Sequence, residues 1–260
     1  MTIFEALILG LIQGLTEFLP VSSSGHLEIG HYLFGLHEGD NLLFSVVVHG
    51  ATVLSTLVVF RKDIIDLMSG LFKFKWNEPT RYVAMLLVSA VPVGIAGIFF
   101  EDRIEALFTG NIVFVGSMLL VTSTLLAVAY FVRKGKRRIG FVDAIIIGVA
   151  QVVAILPGIS RSGATIAAGM IIGNDKAQLA RFSFLMVIIP ILGANFLKLV
   201  SSDFSSASST GSITLLVGFI AAFIAGLLAC SWMVNIVRKG KIIYFAVYCA
   251  IIGLIAIFAA

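Results

Sequence analysis

Two polar stretches interrupt this apolar chain, and together they hold groups suited to binding and attacking a phosphate. They are 13–26 (QGLTEFLPVSSSGH) and 151–164 (QVVAILPGISRSGA). The first offers a carboxylate at Glu17, hydroxyls at Ser22, Ser23 and Ser24, and an imidazole at His26. Gln13 and Glu17 are four residues apart and share a helical face, one turn before the helix-breaking Pro20. Gly25 and the serines before it form an irregular loop whose freed N–H groups can hold an anion, beside a ring that titrates near neutrality. In the second stretch Arg161 is a fixed fork of donors matched to phosphate oxygens. Ser160, Ser162, Thr165 and a following helix N-terminus support it.

What must position these groups is a membrane fold. With 59% hydrophobic residues, 12% charged residues and a mean hydropathy of +1.08, the 260 residues cannot cover a soluble globule, whose surface needs about twice that charge. Six apolar runs read as spanning helices: 42–60, 82–100, 112–132, 182–199, 213–237 and 242–258. The basic connections 61–81, 133–138 and 238–241 are expected in the cytoplasm. The connections 101–111 and 201–212, and the loop of His37, Glu38 and Asp40, are then expected outside. The net charge of +4 lies in short loops beside spans, so nucleic-acid binding is not expected. Cys230 and Cys249 fall inside apolar runs without metal or redox spacing and read as core packing. The start, MTIFEALILG, has no basic n-region, so no cleaved signal peptide is expected.

Polar stretches in such a chain cannot face lipid, because an unpaired polar group in hydrocarbon costs several kcal/mol. They must be buried in protein or line a wet cavity. Segment 139–181 must begin and end on the same side, which favours a re-entrant hairpin. The two motifs also align: Gly10 and Gln13 with Gly148 and Gln151, Pro20 with Pro157, and Ser22, Ser24 and Gly25 with Ser160, Ser162 and Gly163. The offset is 137 or 138 residues, shifting by one after the proline. The expected fold is therefore an all-α polytopic membrane protein with about six spanning helices and two re-entrant helical hairpins in an inverted-topology repeat. It forms a single membrane domain over 1–260, with a first repeat at 1–132 and a second at 139–260. Broken helices meeting near the midplane would bring Glu17, the serines and His26 beside Ser160, Arg161 and Thr165.

For the glycines and prolines alone, close packing or kinking is the plainer reading, and Gly10 and Gly14 have the spacing of a small-residue contact. For Glu17, His26 and Arg161 function is the better reading, since ionisable residues at membrane depth are expensive.

These motifs resemble those of the integral-membrane undecaprenyl-diphosphate phosphatases associated with bacitracin resistance. That family's first motif, E or Q, three residues, then E, matches Gln13 and Glu17; its serine-rich loop matches 21–26; its P-G-x-S-R-S-x-x-T motif matches 157–165. The resemblance covers nearly the whole chain. It implies hydrolysis of a C55 polyprenyl diphosphate to the monophosphate, recycling the carrier lipid of cell-envelope glycans, in the cell membrane with the site facing outward. It further implies a divalent cation, Mg2+ or Ca2+, held by Glu17 and Gln13, and leaves room for a homodimer. Glu17 would bind metal or act as general base, and His26 would be general base or nucleophile. Ser23 would orient or attack phosphorus. Arg161 would hold the diphosphate, with Gln13, Ser22, Ser24, Gly25, Gly158, Ser160, Ser162 and Thr165 in the binding site. Whether water, Ser23 or His26 attacks stays open. Some relatives carry glutamate where this chain has Gln13, which lowers the expected metal affinity.

Ser45 and His49 lie between a cavity role and helix packing. His31, His37, Glu5 and Glu28 read as solvated or mouth-lining residues, and Trp76, Trp232 and tyrosines near run ends as interface anchors. A phosphatase of the PAP2 type is disfavoured, because Ala167 stands where that motif needs histidine. The rival from another class is a polyprenyl-phosphate flippase or transporter, which shares inverted repeats but needs no nucleophile.

Overall fold

The computed structural model describes residues 1–36, 42–100, 103–104, 106–107, 110–132, 135–200 and 211–260. Every regular element among them is a helix, apart from an isolated bridge between Arg137 and Asn174. In chain order the helices are α1 (Ile3–Phe18), α2 (Ser23–Phe34), α3 (Leu42–Val59), α4 (Arg61–Leu71), α5 (Glu78–Phe99) and α6 (Ile112–Phe131). There follow α7 (Phe141–Val153), α8 (Arg161–Ile171), α9 (Lys176–Met186), α10 (Ile188–Val200), α11 (Ser212–Lys239) and α12 (Ile243–Ala259).

Four stretches among the described residues are long and apolar enough to cross a membrane: Glu78–Phe99, Ile112–Phe131, Lys176–Phe196 and Ser212–Val237. A fifth arises if α3 and α4, bent by 74° at Phe60, count as one span. The outer surface is correspondingly apolar, with Phe99, Phe131 and Phe258 at 75%, 78% and 85% exposure, as lipid contact demands. The chain is thus a polytopic, all-helical membrane protein. The expected runs 82–100, 112–132 and 213–237 fall on α5, α6 and α11, and 42–60 on α3. The run 182–199 belongs to a longer stretch that starts at Lys176, because the Asp175 carboxylate caps the N–H groups of Ala177 and Gln178. The run 242–258 is α12, a shorter apolar helix of 17 residues.

Both polar motifs break a helix. Pro20 ends α1, and Ser22 caps α2 by accepting the Gly25 N–H at 3.3 Å. Pro157 and Gly158 separate α7 from α8, and Ser160 caps α8 by accepting the Gly163 N–H at 3.1 Å. Each first arm packs on a distant long helix through a glycine. A Cβ on Gly10 would lie 2.5 Å from the Gly218 carbonyl oxygen of α11, and one on Gly148 would strike the Ser89 carbonyl of α5. α6 and α12 meet reciprocally: a Cβ on Gly116 would be 2.7 Å from the Gly253 oxygen, and one on Gly253 would be 2.8 Å from the Gly116 oxygen.

Gly158 carries a second demand. Its φ is +96°, and a Cβ there would meet the Val115 oxygen at 2.5 Å and the Met118 Cβ at 2.7 Å. Gly158→Ala therefore combines a strained backbone with overpacking, and is expected to destabilise the fold by about 3 kcal/mol. Reversible unfolding in detergent would measure this, and a loss under about 1 kcal/mol would contradict the backbone conformation.

Some expectations change. Glu5 closes a capping box with Thr2 at the start of α1, and Asp143 accepts the Gly140 N–H at 2.9 Å at the start of α7. His31 lies within α2 and is partly buried, because the helix runs on to Phe34. Both cysteines are buried and free, as core packing requires. The loop of His37, Glu38 and Asp40 lies outside the described residues, as do Arg133 and Lys134, residues 201–210 and much of 101–111.

Candidate active site

Glu17 is the centre of the site. It stands in the last turn of α1, its side chain only 7% exposed. Its Oε2 accepts the Ser23 hydroxyl at 2.5 Å and the Gln13 amide Nε2 at 3.0 Å. Arg161, the first residue of α8, brings its guanidinium to 3.7 Å from Oε1. His49 of α3 brings Nε2 to 3.9 Å from Oε2. One buried carboxylate thus has two cationic or cation-forming neighbours and a serine hydroxyl, drawn from α1, α2, α3 and α8. A charged donor or acceptor makes such bonds short and strong, and burial raises the cost of leaving any of them unmade.

The breaks deliver these groups. Without Pro20, α1 would carry on and Ser23 would point away from Glu17; with it, the chain turns back within four residues. The second break is tied to α6, where the buried Thr122 donates to the Gly158 carbonyl at 2.9 Å and accepts the Ser160 N–H at 3.0 Å. The two breaks also touch each other. The Ser162 hydroxyl donates to the Leu19 carbonyl at 3.2 Å, and a Cβ on Gly25 would lie 3.0 Å from the Gly158 Cα.

Two cavities share the wall made by Glu17 and Arg161. One is lined by the hydroxyl-bearing residues Thr16, Ser22, Ser23, Ser24 and Ser160, with Ala154 and Ile159. The other is mostly apolar, with Phe18, Val53, Phe184, Val187, Ile188 and Ile191 around Thr52, Thr56 and Ser162. A polar chamber and an apolar chamber divided by a guanidinium suit an anionic head joined to a hydrocarbon tail.

The sequence-predicted residues divide accordingly. Glu17, Gln13, Ser23 and Arg161 are brought together, and Ser22, Ser24, Ser160 and Ser162 line the chambers. Thr165 is fully buried, and its hydroxyl is engaged by the Arg161 carbonyl and the Ser183 hydroxyl. Gly25 and Gly158 pack the two turns together. His26 faces elsewhere: its Nδ1 meets the Ser22 carbonyl at 2.8 Å, and its Nε2 meets the Tyr248 hydroxyl at 2.8 Å. Of the undecided pair, His49 reaches Glu17, while Ser45 supports it: the Ser45 carbonyl lies 2.8 Å from His49 Nδ1. Sequence reasoning missed Thr122, Ser183 and Tyr248. Thr122 and Tyr248 sit in apolar helices, and Ser183 lies in the last turns of α9 beside a run of apolar residues, where neither spacing nor charge marks them.

Among the described residues no group of three or more His, Cys, Asp or Glu side chains could hold a metal. One orphan acceptor remains beside Glu17: the Gln13 Oε1 is buried without a hydrogen-bond partner.

Comparison with known proteins finds relatives along nearly the whole chain. Residues 6–255 match the family model described as bacitracin resistance protein BacA. A protein of Bacteroides fragilis named undecaprenyl-diphosphatase is 56% identical over 258 residues, covering 98% of this chain and 97% of that protein. One of the same name from Parabacteroides distasonis is 55% identical over 261 residues, with 99% and 98% covered. Another from Methanobrevibacter smithii is 37% identical over 271 residues, with 98% and 96% covered. Since the match runs through both breaks and the spans around them, the chain belongs to the bacitracin resistance protein BacA family.

Proposed function

We infer that this chain hydrolyses undecaprenyl diphosphate to the monophosphate and phosphate, with Ser23 as nucleophile, Glu17 as its base and Arg161 as the anion clamp. Family membership and relatives named undecaprenyl-diphosphatase over nearly their whole length support the activity. The observation that carries the division of roles is the 2.5 Å bond from the Ser23 hydroxyl to Glu17, on the carboxylate that faces Arg161. A nucleophile with its base in hydrogen-bond reach is the geometric signature of covalent catalysis.

The diphosphate head occupies the hydroxyl-lined chamber and the first isoprene units occupy the apolar one. Arg161 then holds non-bridging oxygens and stabilises charge as it builds up on them. The Ser23 oxygen attacks the terminal phosphorus as its proton passes to Glu17. The anhydride bond breaks, and undecaprenyl monophosphate leaves with the bridging oxygen. Glu17 passes the serine's proton to the departing monophosphate; water then attacks the phosphoserine as the freed carboxylate takes its proton, and Glu17 returns that proton to the Ser23 oxygen as phosphate departs. His26, with both ring nitrogens engaged by Ser22 and Tyr248, is not the base in this reading.

A divalent cation fits the site in a restricted way. Hard cations take oxygen donors, and Mg2+ often binds through one carboxylate and substrate phosphates. Glu17 and the orphan Gln13 oxygen would supply the protein's share, and the bound ion would neutralise diphosphate charge. Gln13→Glu would place a second carboxylate on the same helical face, so the half-saturating Mg2+ concentration is expected to fall about tenfold. Titration of phosphate release with Mg2+ in chelated buffer checks this, and an unchanged midpoint would remove residue 13 from the ion's ligands.

The architecture proposed with this function is an inverted repeat of about six spans in the cell membrane, with the site facing outward. Ser22 and Ser160 as matching caps, Gly10 and Gly148 as matching contacts, and Glu5 and Asp143 as matching capping residues support the repeat. The deciding experiment is phosphate release from undecaprenyl diphosphate by the purified protein in detergent, with and without chelator. Release that a chelator suppresses is expected. Lipid binding with no release under any divalent ion would overturn the hydrolase reading in favour of a flippase.

A further inference from the structure

The two breaks are alike except at one point. Between proline and capping serine the second has two residues, Gly158 and Ile159, while the first has only Val21. The longer turn bends at Gly158, φ +96°, and leaves its cap Ser160 relaxed at φ −72°, ψ 121°. The shorter turn has one residue fewer and no glycine. Its bend falls on the cap itself, Ser22, at φ 71°, ψ 98°. A residue with a Cβ is strained there, and such a conformation persists only where the surroundings over-determine it.

What over-determines it is His26. The backbone N–H of His26 donates to the Ser22 carbonyl at 3.1 Å, and the ring Nδ1 reaches the same oxygen at 2.8 Å. A carbonyl only accepts, so Nδ1 carries the proton and Nε2 presents its lone pair. The Tyr248 hydroxyl of α12, 2.8 Å away, is then the donor to Nε2. The rings also stack, with centroids 5.6 Å apart and planes at 8°. Next to Tyr248, the Cys249 thiol lies 3.7 Å from the Pro20 carbonyl, so α12 runs along this turn. The position that aligns with His26 in the unstrained break is Ala164, which has no ring to clamp anything. The clamp stands only where the strain does.

We propose that Tyr248 is a positioning residue that acts through His26 to hold the strained Ser22 turn, and so keeps the Ser23 hydroxyl on Glu17. The catalytic consequence rests on the function proposed above; the clamp itself does not.

The test is a double-mutant cycle joined to a spectroscopic measurement. Tyr248→Phe keeps the stacked ring and removes one hydroxyl. In the wild-type background it is expected to lower kcat for phosphate release about tenfold with KM unchanged, the worth of one buried hydrogen bond. Ser22→Gly removes the strain, since glycine accepts positive φ and caps helices acceptably. In that background Tyr248→Phe is expected to cost less than about twofold. An equal loss in both backgrounds, or none in either, would overturn the proposal. Nitrogen-15 spectra of imidazole-labelled protein read the clamp without turnover. His26 is expected as the Nδ1-protonated tautomer, with an Nε2 resonance that moves in Tyr248→Phe. An Nε2-protonated His26 in the wild type overturns the clamp whatever the activity. A wild type that releases no phosphate but shows the Nδ1–H tautomer would instead sink only the hydrolase reading.

Discussion

Ser23→Ala is expected to lower kcat for phosphate release by about four orders of magnitude, the scale seen when a nucleophile is removed and only binding and charge stabilisation remain. The side chain is small and sits at the rim of a chamber, so the change removes one oxygen and leaves the turn, the Ser22 cap and Arg161 in place. KM should move little, because Arg161 and the other hydroxyls still hold the head group. A chemical trace accompanies the rate. Acid quenching during turnover of a substrate labelled at its terminal phosphate should leave label on the wild-type protein and none on the variant. Phosphate release within tenfold of wild type would mean that water attacks directly and that Ser23 only orients it.

Glu17→Gln is the second large effect, expected at about a thousandfold in kcat, within the range of a lost general base. The amide has nearly the shape of the carboxylate but cannot take the Ser23 proton. The sign of the binding effect is different. Removing a negative charge 3.7 Å from Arg161 leaves the guanidinium less neutralised, so at Mg2+ concentrations that saturate the variant the diphosphate should bind no weaker and KM should hold or fall. Steady-state kinetics separate the two parameters. A rise in KM with unchanged kcat would show that Glu17 serves binding, and would pass the role of base to another group. The fold should tolerate the change, because an uncompensated charge is costly to bury and an amide is less so.

Much of this site was legible in the sequence because it is written in residue types that a membrane chain avoids. Glu17 and Arg161 stand out against apolar surroundings, and Pro20 and Pro157 mark where the helices had to open. What the types could not tell is which face each group turns to. His26 has the chemistry of a base, but its direction depends on a turn one residue shorter than its counterpart, which rotates the imidazole toward α12. Its partner, Tyr248, lies inside a 17-residue apolar helix whose pattern gives no period to read. His49 was undecidable for a related reason: its contact with Glu17 depends on how α3 crosses α1, and that crossing is fixed by side-chain packing. The cap that Glu5 forms with Thr2 is a matter of local geometry at a helix start, which residue type alone does not show.

The glycine seams between α1 and α11, and between α5 and α7, bear on how the protein is made. The arm that carries Glu17 is translated first, and the helix whose carbonyls it lies against is translated near the end. Until α11 arrives, a polar half-helix and its serine turn have no final partner in the bilayer, where bare backbone groups are not tolerated. The nascent chain must therefore hold the arm of Glu17 in a provisional place, at the interface or beside the insertion machinery, and bring the two breaks together only in a last, long-range closing step.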